Sequence, residues 1–222
     1  MSATSPVIVF DVNETLSDLS PLAGRFVDIG APVQLAKLWF NTLLRDGFAL
    51  TAAGHNRAFA DIGAGMLRLL LAETSPTSRL EHDVQYVMNG MNELELHADV
   101  VDAVRSLKAE NRRMITLTNG SSAIAEKLFT SAGIRECFEG LLSVENAAAW
   151  KPARAAYEYA ATACRVEPSE MILVAVHPWD IHGAAAAGLR TAWLNRCGED
   201  YPAYFAAPQH TLHRLGDLSH YV

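Results

Sequence analysis

Val7-Ile8-Val9-Phe10-Asp11-Val12-Asn13-Glu14-Thr15-Leu16-Ser17-Asp18 opens with four apolar residues and sets a carboxylate directly behind them. An unbroken, β-branched apolar run of that length predicts a strand covered on both faces, with Asp11 at its carboxyl end. The pattern recurs at Met114–Thr118, which runs into Asn119, and at Met171–Ala175, which leads to His177-Pro178-Trp179-Asp180. A fourth strand is read in the run before Lys151. In a doubly wound sheet the carboxyl ends of the strands open on one crevice. Asp11, Thr118, Asn119, Lys151, His177 and Asp180 are therefore expected to share a site built around one nucleophilic carboxylate.

Between Pro21 and Asn92 the texture changes to helical periodicity. Leu35, Leu38, Trp39, Thr42 and Leu43 form one stripe, Ile62, Met66, Leu69 and Leu70 another, and a third helix is read over Arg79–Met91. After His97 the α/β alternation resumes. A helix carries Val100, Val101, Val104 and Leu107 on one face, another runs to Ser131 with Gly133 as its stop, and a third covers Ala153–Cys164. A helix around Ile181–Ala187 ends at Gly188, Thr191–Leu194 is read as the final strand, and the tail from Gly198 onward shows no regular pattern.

Composition narrows the class of partner. The chain has 222 residues, half of them hydrophobic, and a net charge of -7, with no clustered basic face of the kind that nucleic acids require. No apolar span is long enough for a membrane helix, and Met1–Pro6 carries no signal-like pattern. Cys137, Cys164 and Cys197 are odd in number and lack metal or redox spacing, which points to reduced thiols in the cytoplasm. His210 and His213 have a metal-like spacing without further ligands and are read as surface residues. Arg45, Arg57 and Arg68 are read as solvated helix charges. Glu14, Asp18 and Asp28 are acidic neighbours with no defined partner, and His97 with Asp99 marks a helix start.

Four ordered segments carry a resemblance. Phe10-Asp11-Val12-Asn13-Glu14-Thr15-Leu16, then Leu117-Thr118-Asn119-Gly120, then Lys151-Pro152 with Tyr157, and last Trp179-Asp180 ahead of Gly183 and Ala187-Gly188-Leu189 resemble the motifs of the haloacid dehalogenase superfamily. Trp179-Asp180, the Lys151 to Tyr157 spacing and the Thr118-Asn119-Gly120 turn look like its type II, or L-2-haloacid dehalogenase, branch. The resemblance implies an α/β fold, a Rossmann-like doubly wound and mostly parallel sheet with an inserted helical cap. On that reading residues 1–17 and 96–222 form the core and 18–95 the cap.

It further implies a metal-free and cofactor-free hydrolysis of a short haloacid through an ester on Asp11, in a cytoplasmic homodimer. Lys151 would neutralise charge, and Thr15 belongs to the nucleophile motif. Thr118 and the N–H groups of Val12 and Asn13 would bind the substrate carboxylate. Asn119 is read as a halide donor or a helix N-cap, and Tyr157 as a partner in the Lys151 network. Either Asp180 or His177 would be the hydrolytic base. Trp39, Phe40, Phe59 and Trp179 would supply an apolar wall.

The chain also departs from the branch. Leu35 stands where ungapped alignment places the usual halide-binding Arg, Ala175 where Ser is common, and His177 where Asn is usual. Asn13 replaces the acid that phosphatase relatives use to protonate a leaving alkoxide. A phosphatase with His177 or Glu14 in place of that acid, and a catalytically silent binder, are the alternative readings.

Overall fold

The apolar run behind Pro6 becomes the central strand of a parallel sheet. In the computed structural model, which describes residues 5–72 and 76–222, β1 (Val7–Phe10) is followed by β2 (Ser17–Asp18) and four helices, α1 (Leu22–Asp28), α2 (Leu35–Ala52), α3 (Phe59–Leu71) and α4 (Leu80–Gly90). Then come β3 (Glu95–Leu96), α5 (Val100–Ala109), β4 (Met114–Thr118), α6 (Ser122–Ser131), β5 (Gly140–Ser143) and α7 (Arg154–Cys164). β6 (Met171–Ala175), α8 (Pro178–Ala187), β7 (Arg190–Leu194) and β8 (His210–Leu212) complete the chain. Residues 1–4 of the amino-terminal segment read for a signal lie outside the described residues.

The sheet order is β5-β4-β1-β6-β7-β8 and every pairing is parallel. β1 therefore lies where the strand order reverses, and Asp11 leaves it at the switch point where such sheets bind ligands. Alternation along the strands feeds two cores. Val7, Val9, Ile115, Leu117, Leu173 and Ala175 face α7 and α8, whereas Ile8, Phe10, Met114, Ile172 and Val174 face α5 and α6. Burying one Leu or Val contributes roughly 1.5–3 kcal/mol, against ~1 kcal/mol for a helix cap. Among the described residues only α6 of the α-helices has a side-chain cap, from Ser121, so the helices are held by their faces rather than their ends.

α1 to α4 form the helical insert, with Phe26, Trp39, Leu43, Leu67, Val84 and Val87 fully buried in it. The antiparallel pair β2–β3 joins the two chain passages between this insert and the sheet. No helix among the described residues is long and apolar enough to cross a membrane.

Two expectations change. The run before Lys151 is no strand, because the fourth strand is the edge strand β5, and residues 144–150 leave the sheet for the insert. Asn56 Nδ2 donates to the carbonyls of Val144 (3.0 Å) and Ala147 (2.9 Å), and the Trp150 indole N–H donates to the Arg57 carbonyl (2.9 Å). The insert thus satisfies polar groups that a ladder would otherwise pair. Thr191–Leu194 is not the final strand either, since β8 pairs with β7 beyond it.

The tail also reaches back toward β1. Arg196 donates to the Thr15 carbonyl (2.9 Å) and to Asp99 (2.9 Å), whose other oxygen accepts from the Leu215 N–H. Asp99 stands ahead of α5, but its side chain serves the tail rather than capping that helix. His210 stacks on Tyr221, and the three cysteines are unpaired.

Candidate active site

β1 delivers Asp11 with both oxygens occupied. Oδ1 accepts from Lys151 Nζ (2.8 Å), while Oδ2 accepts from the Thr15 hydroxyl (2.7 Å) and lies 3.1 Å from His177 Nδ1. The same Lys151 Nζ donates to Asp180 Oδ2 (2.6 Å), and the Tyr157 hydroxyl donates to Asp180 Oδ1 (2.6 Å). Lys151, Tyr157 and Asp180 are fully buried and Asp11 nearly so. A buried ammonium is tolerated only with such partners, and two carboxylates share this one.

Local sequence fixes each group. Pro178 starts α8 and places Asp180 in its first turn rather than at a strand end. Gly183, one turn on, allows close approach: a Cβ there would lie 2.7 Å from the Tyr157 hydroxyl and 2.5 Å from Pro152 Cβ. Asn119 does not cap α6, a role that falls to Ser121. Its amide clamps the Lys151 main chain instead, donating to the carbonyl (3.1 Å) and accepting from the N–H (3.0 Å).

The residue whose partner sequence reading missed is Glu14. Its carboxylate lies 2.8 Å from His177 Nε2, so His177 is held between two carboxylates, Asp11 and Glu14. Neither acceptor has a proton to give when ionised, and both ring nitrogens must then donate, which makes the ring an imidazolium. Glu14 reaches this position in the left-handed region, at φ 62°, which costs a non-glycine residue about 1 kcal/mol or more. Its place three residues after Asp11 was the only signal in the sequence. Pairing across 163 residues was not readable there.

The electrostatics separate the two buried carboxylates. Burial raises the Asp11 carboxyl, but Lys151 and His177 outweigh it and hold it well below the usual carboxylate range. Asp180 is raised, by burial first and then by the charge of Asp11, against Lys151 and Tyr157. One carboxylate is thus kept ionised and the other keeps more affinity for a proton, a division of the kind that a nucleophile and a base require. Burial alone would lower Lys151, yet Asp11 and Asp180 raise it. Tyr157 is pushed well above its ordinary value by burial and by Asp180, so it stays a donor. Burial would lower His177, but the bonds to Asp11 and Glu14 prevail and lift it to about 9.

The remaining expected residues are placed unevenly. Phe40 faces His177 at 6.4 Å between ring centroids, Trp179 stacks on it at 4.9 Å, and Phe59 packs on Phe40. Asn13 and Thr118 converge on Gly120, whose added Cβ would lie 3.2 Å from the Asn13 amide and 3.3 Å from the Thr118 hydroxyl. Val12 points into the core under the sheet, leaving only its main chain beside Asp11. Trp39 lines no pocket, because it has no exposed surface and its indole N–H donates to the Gly63 carbonyl inside the insert (2.9 Å). Asp18 pairs with Ser20 and Asp28 with Tyr86, away from the cluster. Arg45 and Arg68 pair with Asp46 and Glu81 at exposed positions.

Comparison with known proteins gives the family. The chain is 27% identical over 212 residues to (S)-2-haloacid dehalogenase 1 of Pseudomonas sp. (strain CBS-3), covering 95% of this chain and 93% of that one. It is 31% identical over 124 residues to haloacetate dehalogenase H-2 of Moraxella sp. (strain B), covering 56% of this chain and 55% of that one. A solved L-2-haloacid dehalogenase superposes with a TM-score of 0.88 at 28% identity over 99% of each chain. The family model for haloacid dehalogenase-like hydrolases matches residues 6–188, which span β1, the insert and the whole carboxylate–lysine cluster. This chain belongs to the haloacid dehalogenase-like hydrolases.

Proposed function

We propose that this protein hydrolyses short 2-haloalkanoic acids, of the haloacetate or 2-halopropionate type, through an ester on Asp11. The observation that carries the reading is a buried carboxylate held ionised at the sheet's switch point, sharing one lysine with a second carboxylate of higher proton affinity. Asp11 displaces halide from the carbon next to the substrate carboxylate, and a departing halide needs no proton. Asn13 suits this, since an amide cannot return a proton to an alkoxide. The names of the relatives point to the same substrate class.

Two anions must approach each other. At about 4 Å their repulsion is roughly 4 kcal/mol at an effective dielectric near 20, and the Lys151 ammonium offsets it. Thr118 and the N–H groups of Val12 and Asn13 hold the substrate carboxylate. Phe40, Phe59 and Trp179 form the apolar wall, and the helical insert, residues 18–95, closes over the core as a cap. Asp180 accepts the proton of the attacking water.

Halide release from fluoro-, chloro- and bromoacetate and from both 2-chloropropionate enantiomers tests the proposal. Chloride and bromide are expected in the presence of a chelator. Folded protein that releases no halide from any of the five acids overturns it.

The same reading places the enzyme in the cytoplasm as a homodimer. Val27, Val33 and Leu38 of the insert are exposed apolar side chains suited to an interface. Light scattering is expected to give twice the chain mass of 24.1 kDa, and a monomer at micromolar concentration excludes the dimer.

A further inference from the structure

We propose that His177, held by Glu14, is an oxyanion donor for hydrolysis of the Asp11 ester, with Glu14 as its positioning residue. This rests on the ester reading above. The two oxygens of Asp11 are not equivalent. Oδ2 already meets two donors, Thr15 Oγ1 and His177 Nδ1, as many as an oxygen with two lone pairs accepts. Among the described residues Oδ1 meets only Lys151 Nζ and keeps a lone pair for attack. The ester therefore forms through Oδ1, and Oδ2 becomes its carbonyl oxygen.

The second step then places negative charge on Oδ2. A water oxygen bonds to Asp11 Cγ and gives its proton to Asp180, while the carbonyl π electrons move onto Oδ2. The tetrahedral centre collapses, the Cγ–Oδ1 bond breaks, and Oδ1 leaves with the substrate carbon as a hydroxyl that takes the proton back from Asp180. Asp11, left as a carboxylic acid, ionises and releases one proton to solvent. Thr15 and His177 stand where the oxyanion develops, and donors fixed in advance act without reorganisation. The Thr15 hydroxyl is itself fixed by the Val176 N–H, which donates to it (3.1 Å).

Glu14 has its use at the ester stage. While Asp11 is ionised it shares the support of the His177 charge with Glu14, but esterification removes that anion and leaves Glu14 as the counter-ion in contact with the ring. The other titratable groups nearby are Lys151 and Asp180 behind Asp11, and His97, whose Nε2 meets the Glu14 carbonyl (3.0 Å). Phe40 from α2 and Trp179 from α8 pack on the ring and contribute no charge. The geometry thus makes His177 a cationic donor rather than the hydrolytic base.

Rapid-quench turnover of bromoacetate separates the steps. In Glu14→Gln the first halide is expected as a burst within ~3-fold of the wild-type rate, with steady state slowed about 10-fold or more and His177→Ala slowed roughly 100-fold. The unhydrolysed ester should appear as added mass on Asp11. The alkaline limb of steady-state turnover should shift to lower pH in Glu14→Gln, and Glu14→Asp should restore part of the rate. Glu14→Gly relieves the left-handed backbone while removing the carboxylate, so a slow Glu14→Gly variant of wild-type thermal stability excludes a folding defect. Burst and steady state slowed equally, or neither slowed, overturns the inference. Wild-type protein that releases no bromide overturns the dehalogenase reading instead, and the inference with it.

Discussion

Asp11→Asn is expected to lower halide release by at least ~10⁴-fold, the scale seen when an enzyme loses its nucleophile. The substitution keeps the shape of the side chain and the capacity of Oδ1 to accept from Lys151, so a folding defect is not the expected cause. What disappears is the anion that Lys151 and His177 hold ionised. A labelling experiment gives the positive counterpart. In a single wild-type turnover in ¹⁸O-water, label should enter the Asp11 carboxylate, because water attacks Cγ, while the product hydroxyl carries the unlabelled former Oδ1. Label found in the product and absent from Asp11 would mean direct attack by water, and the covalent route would be lost.

Lys151→Met removes the other indispensable group and should affect stability as well as rate. Its ammonium is the common partner of two buried carboxylates, 2.8 Å from Asp11 and 2.6 Å from Asp180. Removing one member of a buried ionic cluster costs about 3–5 kcal/mol, because the charges left behind repel each other out of reach of water. Activity should fall by at least ~10³-fold, since the nucleophile loses its neutralising cation.

The pH dependence identifies the cause. Without Lys151 the folded-state pKa of the carboxylates rises above the unfolded value, so the folded form binds more protons and the variant should regain stability as pH falls through that raised pKa. The sign is the same for wild-type His177, raised to about 9: its contribution is full below the ordinary histidine value and is lost as pH rises through about 9. Chemical denaturation of variant and wild type at pH 5 and pH 7.5 isolates the carboxylates, because the gap between the two proteins should narrow at the lower pH. A variant within about 1 kcal/mol of wild type at both would show that the cluster does not depend on the ammonium.

The strands that cross the middle of the sheet were legible because both faces are covered. β1 and β6 are unbroken apolar runs, and β4 is an apolar run interrupted only by Thr116 and Thr118, buried along its whole length. The edges were not. β5 is four residues beginning with glycine, the first three only half-buried, and β8 is three residues beyond a long irregular connection. Lys151 drew a strand ahead of it by analogy with the other motifs, although its loop is held by Asn56 and Trp150 rather than by a ladder.

That Asp11, Thr15, Lys151, Tyr157 and Asp180 lie together was legible because motif spacing encodes them. The Glu14–His177 contact depends on a left-handed residue and on two distant turns meeting, neither of which a linear pattern records. Trp39 was placed at the pocket because an aromatic on a helical stripe reads the same whether it faces a ligand or the interior of its own helices.

Trp150 immediately precedes Lys151, and its ring lies where a Cβ on Gly47 of α2 would come within 2.5 Å, while its two N–H groups reach Thr51 and Arg57. The piece that evolution or an engineer can transplant between relatives is therefore larger than the four helices. A chimera that imports a foreign insert must bring residues 144–151 along with it, or the lysine will arrive at the nucleophile on a seam cut for another partner.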